Sequence, residues 1–148
     1  MKRKLIERQV SIADAVSEAF GEFQSLGEEM RSWADSMEEK FSSTDKYSRV
    51  SETADILESC NEPDHPQHAQ DTVITVIDPP AKKRGYSRAD RCSQACMLLD
   101  YAMEALETKI EALGENDTTA KDELESYRDE IDEAKSNAEG ADFPGMYG

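Results

Sequence analysis

Apolar residues recur at Ile12, Val16, Ala19, Phe23, Leu26, Met30, Trp33 and Met37, in steps of 4, 3, 4, 3, 4, 3 and 4. That alternation keeps these side chains on one stripe, so it predicts a long amphipathic helix with a heptad seam. Ser11, with Asp14 three residues on, has the form of a capping box and starts this helix. Gly21 and Gly27 each weaken it by about 1 kcal/mol relative to alanine, so the seam must be buried against something. Ser42, Ser43 and Thr44 break the pattern with good cap residues. A second helix is expected from about Asp45 to Ser59, with Tyr47, Val50, Ala54 and Leu57 in line. Two helices with so short a connection pack most easily as an antiparallel hairpin.

Residues 61–70 contain Pro63 and Pro66 and show no periodicity, so they form a linker or loop. The run Thr72 to Ile77 is rich in β-branched residues and predicts one short strand, ended by Asp78, Pro79 and Pro80. The pattern offers it no partner strand within the chain. Its edge therefore either lies along the helices or adds to a sheet in another chain. Ser87 and Asp90 repeat the capping-box spacing and open a third helix, whose stripe is Cys92, Cys96, Leu99, Met103, Leu106, Ile110 and Leu113. Gly114 is placed to stop it. A fourth helix begins at Asn116, Asp117 and Thr118, carries a thin stripe of Ala120, Leu124, Tyr127, Ile131, Ala134 and Ala138, and closes at Gly140.

The expected fold is all-α: two helical hairpins, about four helices in a bundle or coiled-coil-like arrangement, joined by an extended segment with one short β-strand. The divisions are a basic N-terminal arm at 1–10, the first hairpin at 11–60 and an extended linker at 61–86 with the strand at 72–77. The second hairpin follows at 87–140, and an aromatic tail at 141–148.

Composition narrows the function. Of the 148 residues 37% are hydrophobic, below the roughly 45–50% of typical soluble domains, and the net charge is -16. No apolar run approaches the roughly 18 residues of a membrane span. The basic start, Met1 to Ile6, has no apolar region behind it and is not a secretory signal. A cytoplasmic protein with reduced thiols is expected, and the odd count of cysteines, Cys60, Cys92 and Cys96, agrees. His65 and His68 lie near Cys60, but the spacing matches no zinc-finger pattern, and Cys92 and Cys96 fit the apolar stripe as small hydrophobes. No metal and no cofactor are expected.

No enzyme is expected either. The chain has no phosphate-binding GxxxxGK[ST] run and no GxGxxG after a strand. Its histidines sit in a proline-broken loop without a strand–turn–helix nucleophile nearby. Its carboxylates fall on solvated faces, where nothing separates the pKa values of a pair.

Charge is unevenly distributed. Residues 1–10 carry +3 and 82–91 carry +4, whereas 11–41 carry -6 and 115–139 carry -7. Such acidity raises solubility, and it also creates a field that draws basic partners. A rigid helix of carboxylates can imitate duplex phosphates. The leading expectation is therefore a small acidic module that binds and inhibits a basic, nucleic-acid-binding protein, as DNA-mimic or anti-defence inhibitors do. Its overall style is similar to that of the small accessory proteins a bacterial virus encodes, which would place it in host cytoplasm; no residue-level motif carries that likeness. The expected partner-binding residues are Asp122, Glu125, Asp129, Asp132 and Glu133, with Glu22, Glu29 and Glu39 as a second group. Direct nucleic-acid contact through Lys82, Lys83, Arg84 and Arg88 is a weaker reading, because those bases can pair with the chain's own acids.

The alternative is a structural or assembly protein, such as a scaffold, chaperone or virion component. Bulky Phe23, Met30, Trp33 and Met37 exceed what the small-residue second and fourth helices can cover, so a homodimer or heteromeric complex through this seam is expected.

Overall fold

The computed structural model describes residues 6–41, 43–80 and 85–144. Its elements are β1 (Ile6–Ser11), α1 (Ile12–Phe41), α2 (Asp45–Glu58), α3 (Gln67–Asp71), β2 (Val73–Asp78), α4 (Arg88–Leu113) and α5 (Thr118–Glu139). The fold is mostly helical, with one short antiparallel sheet.

Each long helix starts where a side chain satisfies an otherwise orphaned amide. The Asp14 amide donates to Ser11 Oγ at 3.0 Å, Tyr47 to Thr44 Oγ1 at 3.1 Å, Asp90 to Ser87 Oγ at 3.1 Å and Ala120 to Asp117 Oδ1 at 3.0 Å. Gly114 ends α4 with a φ of 57°, a left-handed conformation that favours glycine.

α1 is the central element, packed against both α2 and α4, and α5 lies on α4 and also touches α2. Both hairpins are antiparallel: Arg31 pairs back to Asp55 and Glu58, and Lys135 reaches Asp100 at 2.9 Å. Gly27 sits where α1 and α2 come closest. A Cβ there would lie 3.3 Å from that of Leu57, so the glycine that weakens α1 locally also lets α2 approach.

The core corrects the seam expectation. Phe23, Met30 and Met37 are buried within the chain, and Trp33 is half-buried. The premise that one chain cannot cover them fails because α1 is buried on two sides. Ala15, Phe20 and Ala34 lie off the heptad stripe and are buried too, and the Phe20 ring meets Phe23 edge-on at 5.7 Å. A 4–3 pattern marks one stripe, whereas a helix between two neighbours needs a second. Within the single chain the seam is core, with Trp33 half-buried at its edge.

The strand expectation is corrected as well. β2 has a partner in the same chain: β1, formed from residues assigned to the basic arm. The register runs from Ile6 opposite Asp78 to Ser11 opposite Val73. Arg8, Val10, Ile74 and Val76 turn toward the helices, and Val76 is fully buried. Arg8 anchors the sheet through its Nε to Asp78 at 2.6 Å and its Nη1 to Glu18 of α1 at 2.8 Å. Glu7, Arg8 and Gln9 make β1 read as a polar arm; pairing with an apolar strand makes it a strand.

Two further differences concern connections. The linker holds a helical turn, α3, with Ala69 buried. The tail does not hang free through Pro144: the Asp142 amide donates to Thr53 Oγ1 at 3.1 Å, Thr53 Oγ1 donates to the Asp142 carbonyl, and Arg49 pairs with the Asp142 carboxylate at 2.5 Å. Arg49 holds that carboxyl below its usual range by hydrogen bonding to it. Among the described residues, no helix is long and apolar enough to cross a membrane.

Candidate interaction surface

α5 buries Ala120, Leu124, Tyr127, Ile131, Ala134 and Ala138, and its acids lie away from that stripe. Asp122, Asp129, Asp132 and Glu133 are exposed and Glu125 is half-exposed. At roughly 100° per residue these five share an arc of about 100° on the outer side of the helix. Among the described residues, no cation lies in ion-pair range of Asp122, Glu125, Asp132 or Glu133, and Asp129 meets only its neighbour Arg128, at 3.2 Å. The bases of α5 recur seven apart at Lys121, Arg128 and Lys135, along the edge nearer α4. Lys135 bridges Asp100 at 2.9 Å and Glu139 at 3.0 Å. The helix therefore turns its positive edge inward and its carboxylates outward.

Glu22 and Glu29 of α1 differ from the acids of α5 in having cationic partners within the chain. Arg91 Nε meets Glu22 Oε1 at 2.5 Å, Arg91 Nη2 meets Glu29 Oε2 at 2.8 Å, and Arg88 Nε meets Glu29 Oε1 at 3.1 Å. Hydrogen bonding from Arg91 lowers the Glu29 pKa below its ordinary value. Glu22 and Glu29 therefore stitch α1 to α4. Arg88, a candidate phosphate contact, is spent on the same cluster, and its Cζ also stands 5.4 Å from the Trp33 ring centroid, with Lys46 Nζ at 5.7 Å. Glu39 lies in α1, but its side chain is outside the described residues, as are Lys82, Lys83 and Arg84.

A second polar cluster was not legible in the sequence. Glu62 Oε2 lies 2.7 Å from His65 Nε2 and accepts from Ser17 Oγ at 3.0 Å. Ser17 Oγ also lies 3.1 Å from His65 Nε2, and His65 Nδ1 lies 2.6 Å from Tyr127 Oη. A carboxylate so close to Nε2 places the ring proton there, so Nδ1 accepts from the tyrosine hydroxyl. Burial raises the Tyr127 pKa, which keeps that donor protonated. Nε2 is shared between Glu62 and Ser17. The cluster pins the linker to α1 and α5. Glu62 and His65 are three residues apart, but Ser17 lies 45 residues before Glu62 and Tyr127 lies 62 after His65, so no local pattern brings the four together.

The three cysteines are buried and free. Burial pushes the Cys60 thiol up to about 11, and the hydrogen bond that Cys96 donates to Cys92, together with burial, raises Cys96 much further. Cys60 Sγ and Cys92 Sγ donate to the carbonyls of Ala134 and Ala138 on α5. Among the described residues, no group of three or more potential ligands is placed to hold a metal ion.

No family model matches the chain, and neither a curated protein nor a solved structure is found to be similar to it.

Proposed function

We propose that this chain is a small acidic helical binding module, which occupies a basic, nucleic-acid-binding partner through the outer face of α5 in the manner of a DNA-mimic inhibitor. One observation carries the reading: the molecule treats its acids in two ways. Glu22 and Glu29 of α1 are matched by Arg88 and Arg91, while among the described residues Asp122, Glu125, Asp132 and Glu133, clustered on one face of α5, stand outward without a cation. Adjacent like charges cost a helix a few tenths of a kcal/mol per pair, and exposed carboxylates add little stability in return. Their use is then in steering and holding a cationic surface. In this reading the chain carries out no reaction, and Ser17 and His65 serve structure. The assembly alternative draws on the heptad seam, the strand and the tail, and burial of most of the seam within the chain favours the binding-module reading over it.

The test is retention of cytosolic nucleic-acid-binding proteins on the immobilised chain at low salt, followed by affinity measurement with the purified partner. Replacing Asp122, Glu125, Asp129, Asp132 and Glu133 by Asn or Gln should preserve helix content and weaken binding at least 10-fold, about 1.4 kcal/mol. Wild-type affinity should fall steeply with added salt. Equal binding by the neutralised variant at low salt overturns the reading.

A further inference from the structure

β2 is paired on one edge only. Among the described residues, no backbone hydrogen bond outside its ladder with β1 involves Val73–Asp78. Its other edge faces α4 across an open trench. The end of β2 and the prolines after it stand beside the first half of α4, and its start stands beside the second half. Two hollows of about 710 and 550 Å³ lie along this line and share Tyr101. The α4 wall sets apolar Leu98, Tyr101 and Ala105 among Arg91, Gln94, Glu104, Thr108 and Lys109, and Met97 is 51% exposed beside them.

The end of the trench nearest Pro80 is acidic. Glu18 and Asp78 each bond Arg8 through one oxygen, and Glu22 bonds Arg91 through one oxygen. Among the described residues, no hydrogen bond or ion pair engages the second oxygen of Glu18 or of Asp78. A trench bounded by an unpaired strand edge selects an extended backbone, and uncommitted carboxylates select basic side chains.

The geometry points to a docking site for an extended, basic segment of a partner chain, added to the free edge of β2 as a third strand. Alternate apolar residues pack on Leu98 and Tyr101, and a lysine or arginine meets Glu18 and Asp78. A seven-residue strand spans roughly 23 Å, close to the run from Thr72 to Pro80. A second copy of this chain is a poorer occupant, because it brings another net charge of -16. The inference stands on the sheet edge and is independent of the α5 face.

The experiment titrates the full-length, ¹⁵N-labelled chain with an acetylated, amidated heptapeptide of alternating arginine and valine. The expected result is saturable shifts in the amides of Val73–Asp78 and of α4 around Tyr101. Methylating two adjacent central nitrogens of the peptide blocks both of its pairing edges and should weaken binding at least 10-fold. Met97→Arg, at an exposed position, should weaken it at least 5-fold while leaving the helical signal unchanged. Shifts confined to α5, with the methylated peptide binding equally well, overturn the inference and leave the α5 reading intact. The inference also falls if the chain alone is a dimer whose β2 amides are protected and the peptide does not displace it. Failure of the five-acid variant to weaken partner binding would sink the α5 reading and leave this one standing.

Discussion

Arg91 grips Glu29 with both terminal nitrogens, Nη1 to Oε1 at 3.0 Å and Nη2 to Oε2 at 2.8 Å, while its Nε holds Glu22. This forked contact joins the two long helices that carry most of the core. It also accounts for two features of the charge pattern at once: the bases opening α4 and part of the acidity of α1 answer each other across 62 residues. A fork matches a carboxylate in plane, which a lysine at the same place would not do.

Removing that fork should be felt. Arg91→Met leaves Glu22 without its cation and Glu29 with Arg88 alone, and the expected loss is about 1–2 kcal/mol, moderated by partial exposure. Urea unfolding followed by circular dichroism would read it. A variant as stable as wild type would show that solvent already screens the pair.

The same pair sets a pH dependence. The folded-state pKa of Glu29 lies below its ordinary value of 4.5, so its contribution is complete above that value and is lost as pH falls through the lower folded-state one. Glu29→Gln should therefore be less stable than wild type at neutral pH, and the gap should close under acid. The comparison with wild type cancels the general relief of repulsion that acid brings to so negative a chain. A gap that stays constant down to the acid limit would remove Glu29 as its source.

Burial off the heptad stripe has its own test. Phe20 is fully buried though it lies outside the 4–3 seam, so Phe20→Ala should cost about 3–5 kcal/mol. Met97→Ala, at a site 51% exposed, should change stability by less than about 0.5 kcal/mol. Chemical denaturation of both variants distinguishes a two-sided α1 from a one-sided one.

Tyr127→Phe removes the donor to His65 Nδ1 and leaves a half-buried acceptor unpaired. The expected cost is about 1 kcal/mol. Long-range ¹H–¹⁵N spectra of wild type at pH 8 should show the proton on Nε2; a proton on Nδ1 would reverse the direction of the network.

The cysteines should be inert while the chain is folded. All three are buried, and Cys60 and Cys96 titrate above the ordinary thiol range. A disulfide reagent at pH 8 should modify them only at the rate of unfolding, and quickly in urea. Rapid reaction of the native protein would place at least one thiol in contact with solvent.

Local chemistry determined much of this molecule. Periodic apolar residues and the caps Ser11, Ser87 and Asp117 set the long helices, and β-branched residues set β2, because each signal acts within a turn or a short run. The outward acids of α5 were equally legible, since a helix facing its apolar stripe inward must turn the rest outward. Tertiary structure decided the remainder. β1 is a strand only because β2 lies beside it, and α1 needs Phe20 as well as Phe23 only because it has two neighbours. Whether an acid is available or spent also depends on a distant partner. Glu22 and Asp122 look alike in the sequence, and only packing places Arg91 against one and solvent against the other, since charges interact through distance in space and not along the chain.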